Sequence, residues 1–132
     1  MEHFISLSKN FNTSSEVIFN LFRDSKVFQL TGADEINFDF ETGKAFSLNF
    51  LNRGHIHGKF LSISKNELLL QWNVDGFSKP SETDTFLQIT LNDIDGKCNL
   101  VLRHDRIRHK EAADAKEKAW TEILNKIEKM FI

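Results

Sequence analysis

Two histidines two residues apart, His55 and His57 in "GHIHGKF", are the first residues of this 132-residue chain whose type and spacing could do chemistry. On a β-strand, residues i and i+2 project from the same face, so the imidazoles would stand side by side. A pair of imidazoles suits a transition metal. A zinc site needs a third protein ligand, and no spacing in the sequence supplies one. His104, Asp84 and Glu67 are residues that folding could bring near, but nothing selects among them. Ile56 and Phe60 read as the inward set, which leaves both histidines as polar residues on a solvated face, and the expectation is no metal site.

Two other stretches invite the same question. "RHDRIRHK", residues 103–110, could bind an anionic head group through Arg106, Arg108 and Lys110 near the start of the helix that follows. Asp105 and Glu111 interrupt that basic run, which reads instead as a solvated loop. Cys98 is the single cysteine, has no CxxC partner and reads as a plain free thiol. Glycine-rich phosphate loops, nucleophile elbows and paired carboxylates at a telling spacing are all missing, so no catalytic residue and no cofactor is expected.

The elements that would have to position such residues are easier to read. "NTSSEVIFNLF" has Thr13 and Glu16 at capping-box spacing, with Val17, Ile18, Leu21 and Phe22 on one helical face. "DSKVFQLTG" reads as a second short helix stopped by Gly32 in the left-handed region. The period then changes from 3.6 to 2. Ile36, Phe38 and Phe40 alternate with polar residues, then Phe46, Leu48 and Phe50, then Leu68, Leu70, Trp72 and Val74, then Leu87, Ile89 and Leu91. Asp95-Gly96 marks a hairpin from which "CNLVLRHDRI" returns as a strand, and Pro80, the only proline, falls in the polar link "FSKPSETD". From Ala112 to Phe131 no Gly or Pro interrupts a helix whose apolar stripe runs through Ala113, Trp120, Ile123, Leu124, Ile127, Met130 and Phe131. With "HFISLSK" as a first strand, the order is strand, two short helices, about six strands and a long helix. An antiparallel sheet with one apolar face must cover it, and only the last helix is large enough. The expected fold is therefore α+β, one domain over residues 1–132, with a curved antiparallel sheet around the C-terminal helix.

Composition excludes some classes. With 17 Lys+Arg against 19 Asp+Glu the net charge is −2, so the positive field on which nucleic-acid binding relies is missing. No stretch approaches the roughly 18 apolar residues of a membrane span, the N-terminus lacks a basic start before an apolar run, and one cysteine allows no internal disulfide. A cytoplasmic location is expected. Thirteen Phe, two Trp and no Tyr make an interior of large apolar rings with few polar handles.

The element order, together with "LTGADEINFDFETGKAFSL", "GHIHGKFLSISKNELLLQW", "SETDTFLQITLNDIDGKCNLVLRH" and "AKEKAWTEILNKI", resembles the family related to the C-terminal domain of the activator of the ninety-kilodalton heat-shock protein ATPase. That family lies within the START-like (SRPBCC, birch-pollen-allergen-like) superfamily. The likeness covers roughly residues 8 to 131 and rests on structural motifs: a "G-x-F" strand running into "LLLQW", the strands about Asp95-Gly96, and Trp120 early in the last helix. It implies a helix-grip fold, often with an apolar cavity between sheet and helix. Two positions depart from the pattern. "VFQLTG" replaces a tryptophan common after the second short helix, which would alter the cavity mouth, and Ala119 replaces the glycine usual before the helix tryptophan.

Three function classes follow. The resemblance implies a small-molecule binding protein holding an apolar or amphipathic ligand, with Phe38, Phe46, Leu48, Phe60, Leu70, Trp72, Ile89, Trp120 and Leu124 as its lining. It equally implies an interaction module that modulates a chaperone ATPase, although full-length co-chaperones of that kind carry a further N-terminal domain for which these 132 residues have no room. A cyclase or hydrolase on the same cavity would need buried polar residues facing it, and the sequence identifies none. Whether the phenylalanines line the space or fill it is left open.

Overall fold

The computed structural model describes residues 1–77 and 81–132; Pro80 and its two predecessors lie outside the described residues. The chain runs β1 (His3–Phe11), α1 (Ser15–Arg23), α2 (Lys26–Gln29), β2 (Glu35–Phe38), β3 (Ala45–Phe50), β4 (Gly54–Ser64), β5 (Glu67–Gly76), β6 (Glu82–Ile94), β7 (Lys97–Ile107) and α3 (Lys110–Lys129). The strands form one antiparallel sheet in the order β1-β7-β6-β5-β4-β3-β2. Every neighbour in it is a neighbour in sequence except β1, which pairs with β7. The sheet curves about α3, giving the α+β curved antiparallel sheet that the periodicity predicts and the helix-grip fold that the resemblance implies.

Local chemistry explains the element boundaries. Ser14, not Thr13, caps α1: its hydroxyl accepts from the Val17 amide at 3.3 Å, one residue later than the capping-box spacing implies. That shift turns Val17 outward, and Ile18 and Phe22 carry the buried face with Ser15. Gly32 closes the second helical piece at φ +85° with open space around it, so the position needs glycine for its backbone and not for room. Asp95 and Gly96 both have positive φ, which a type I′ hairpin turn requires.

The long helix starts and stops two residues earlier than its apolar stripe suggests. His109 is its N-cap, and Lys110 pairs with Asp114 one turn on at 3.1 Å. At the far end the Met130 and Phe131 amides bond back three residues, to Ile127 and Glu128, so the last turn tightens and Met130 is exposed. Ala112, Ala113, Trp120, Ile123, Leu124 and Ile127 are its buried residues.

Gly58 accounts for the "G-x-F" motif. It faces Phe46 on β3 and Trp72 on β5, and a Cβ there would fall on the Gln71 carbonyl, which is backbone and cannot swing away. Gly58→Ala must therefore part β4 from β5 beside Trp72. We expect a loss of about 1 to 3 kcal/mol in unfolding free energy, measured by urea titration; an unchanged midpoint would show that the strands separate without cost.

Candidate functional site

Helix α3 lies closest to β1 and β7. Toward β3–β5 it stands off, and between them is a cleft of about 530 Å³, partly open to solvent. Trp72 and Val74 of β5, Ile56 of β4 and Phe50 of β3 form the sheet wall; Trp120 and Ile123 face them from the helix, and Leu30 to Gly32 close the end after α2. The space exists because Ala112, Ala115 and Ala119 occupy the same side of the helix as Lys116 and present methyl groups where longer chains would reach the sheet. The two indoles meet with centroids 5.7 Å apart.

Of the residues expected to line a cavity, Trp72 and Trp120 stand on this wall. Phe46, Leu48, Phe60, Leu70, Ile89 and Leu124 lie in the packed core, none more than 3% exposed. Phe38 is half-buried in a ring cluster with Phe19, Phe28, Phe40 and Phe60, whose successive centroids are 5.2 to 6.0 Å apart. Rings at that spacing and at steep angles fill space. The phenylalanines thus occupy one end of the interior, beside α1 and α2, while the cleft lies next to them behind the tryptophans; Phe46 joins the two regions, 5.4 Å from Trp72. "VFQLTG", where the family pattern has a tryptophan, brings Leu30, Thr31 and Gly32 to the cleft, and Ala119 also faces it.

Sequence reasoning missed the polar residues of this region. Glu82, 1% exposed, borders the cleft at the start of β6. Burial alone would raise its pKa, but the Arg108 and His109 amides donate to its carboxylate at 2.9 to 3.2 Å and the His109 ring adds a contact at 3.1 Å, so the carboxyl is held below the usual range. A carboxylate therefore fixes the entrance to α3, where the helix dipole favours negative charge. Half-buried Lys116 projects from α3 into the cleft; desolvation lowers its pKa, and Glu82 opposes that shift. Among the described residues it makes no hydrogen bond or ion pair. The signal for it was its spacing, since residues 112, 115, 116, 119 and 123 share one helical face.

Behind Trp72 lies a buried polar chain. Thr85 Oγ1 donates to the Trp72 carbonyl at 2.5 Å, so the His104 Nε2–H must donate to Thr85 at 2.8 Å. The His104 Nδ1 is buried and has no partner among the described residues. Burial, and to a lesser degree Lys116, push its pKa down to about 3.

The remaining expectations are placed as follows. His55 and His57 face away from the cleft, while Ile56 between them lines it. Their neighbour is Asp75, not His104, Asp84 or Glu67; His57 Nε2 lies 2.9 Å from its carboxylate. Cys98 is fully buried with Ser15 Oγ at 3.5 Å, and burial raises its pKa, as for an inert thiol. "CNLVLRHDRI", expected to return from the Asp95-Gly96 turn as a strand, is β7, so "RHDRI" is strand and not solvated loop, and it pairs with β1 and β6; Arg103 is held by Asp105 at 2.8 Å and Arg106 reaches Glu2 at 3.7 Å. Its alternation breaks at Arg106, where φ is +64° and both His104 and Ile107 point inward. No helix among the described residues is long and apolar enough to cross a membrane.

Comparison with known proteins agrees with this architecture. The model of the family described as activator of Hsp90 ATPase homolog 1-like protein matches residues 12–131. No curated protein matches the chain by sequence. Among solved structures, an Hsp90 activator from Plasmodium falciparum superposes with a TM-score of 0.78 at 20% identity, covering 96% of this chain and 94% of that one. The solution structure of the Aha1 dimer from Colwellia psychrerythraea gives 0.78 at 14% identity, covering 98% and 96%. A Mesorhizobium loti protein gives 0.83 at 14%, covering 96% and 95%.

Proposed function

We propose that this chain, which belongs to the activator of Hsp90 ATPase homolog 1-like family, binds an amphipathic small molecule in the cleft between β5 and α3. The observation that carries this reading is the cleft itself: about 530 Å³ walled by two tryptophans and small helix residues, with Lys116 projecting into it and unpaired among the described residues. Ligand sites generally combine 300 to 1,000 Å³ of mostly apolar wall with a few polar anchors. Lys116 would take an acidic end of the ligand, since Glu82 is already committed to the Arg108 and His109 amides.

A panel of fatty acids, flavonoids, sterols and an apolar dye, screened by thermal midpoint, tests it. A ligand at a hundredfold its Kd should add about 2.7 kcal/mol. Lys116→Met should weaken acidic ligands by roughly ten- to a hundredfold, the worth of a hydrogen bond to a charged group, and spare neutral ones. If no compound raises the midpoint, the cleft has no such ligand.

A second reading is favoured by the family match: a module that modulates a chaperone ATPase. An Hsp90 ATPase assay with and without the protein, beside a pulldown scored for that chaperone, separates it from the first; no change in rate and no enrichment would remove it.

A further inference from the structure

His55 and His57 gain, on folding, the third donor that their spacing in sequence lacked. His55 and His57 stack on the outer face of β4 with ring centroids 4.6 Å apart and planes 19° from parallel. Asp75 on β5 is the register partner of His55, and its carboxylate lies 2.9 Å from His57 Nε2. One donor atom from each of the three lies within 4.8 Å of the others. We propose that His55, His57 and Asp75 form a binding site for a borderline divalent transition-metal ion, zinc being the probe of choice, on the face of the sheet opposite the cleft.

Three observations support it. Two imidazole nitrogens and one carboxylate oxygen are the donor set of three-ligand zinc sites, which leave a fourth position to water; calcium and magnesium prefer all-oxygen sites. Tetrahedral donors about 2.0 Å from a metal stand roughly 3.3 Å from one another, so the 4.8 Å span closes with small rotations of side chains that are only part-buried. All three residues sit on paired strands, which fix their Cα positions better than a loop would. Spacing alone could not reveal the third ligand, because Asp75 is 18 residues from His57 and meets it only through the β4–β5 register. This replaces the expectation of two merely solvated histidines.

The test is calorimetric titration of the untagged chain with zinc chloride at pH 7.5, with magnesium as control. One equivalent of zinc should bind saturably, magnesium should not, and His55→Ala, His57→Ala and Asp75→Asn should each weaken zinc by at least about tenfold while leaving the metal-free thermal midpoint nearly unchanged. Absence of saturable one-to-one binding would overturn the proposal. So would zinc binding that persists in any of the three variants, since the ion would then be held elsewhere.

Discussion

Trp120→Ala is expected to lower the unfolding free energy by about 3 to 5 kcal/mol. The indole is 3% exposed and packs on Trp72 at 5.7 Å, at the point where α3 grips the sheet. Removing it deletes the indole–indole contact between helix and sheet, and the space left has little scope to collapse. One side is rigid strand and the other already opens into the cleft. Residual cavity is what places a large-to-small substitution at the upper end of its range. Equilibrium denaturation in urea would read the loss as a drop in midpoint at similar slope. A loss under about 1 kcal/mol would mean that the helix is held mainly by its contacts with β1 and β7.

The second large effect is a loss of stability in acid that begins near neutrality. His104 titrates near 6.5 when unfolded and is pushed down to about 3 in the fold, first by burial and then by Lys116. Between those values the unfolded chain binds a proton that the native state refuses. The contribution is therefore fully present above about pH 6.5 and is lost as the pH falls toward 3. At about 1.4 kcal/mol per pKa unit, the loss over the whole window is on the order of 5 kcal/mol. Glu82, whose pKa is lowered, acts in the same direction but only below its ordinary value of 4.5. The window from pH 6.5 to 4.5 thus isolates the histidine. His104→Phe should flatten unfolding free energy over that interval, and Thr85 keeps its bond to the Trp72 carbonyl in the variant. If wild type and variant decline in parallel, the buried imidazole is not the source.

Much of this fold is legible in the sequence, because its signals are local. Alternation of Leu68, Leu70, Trp72 and Val74 marks β5, Asp95-Gly96 fixes the β6–β7 turn, and a stripe through Trp120 and Ile127 marks the covering helix. An error arises where one residue decides a boundary: Ser14 caps α1 in place of Thr13. The cleft was less legible, since apolar strand positions look alike whether they fill a core or face a gap. Leu48 and Leu70 pack; Ile56 and Val74 face the cleft. What separates them is the packing of α3 on β1 and β7, a tertiary arrangement with no local signature. Glu82 and Lys116 were hidden for the same reason, each reading in sequence as an ordinary surface charge.

Ligand occupancy of the cleft is tested most directly by the emission of its own walls. Trp72 and Trp120 are the only tryptophans and both border the space, so a molecule lodged there must touch at least one. In a Trp72→Phe protein, Trp120 becomes the sole emitter. Titration with a long-chain fatty acid and with the matching neutral alcohol should shift or quench that emission saturably at one equivalent, the acid binding more tightly and losing its advantage in Lys116→Met. Emission unchanged by both, in wild type and in the single-tryptophan protein, would contradict a ligand-binding cleft.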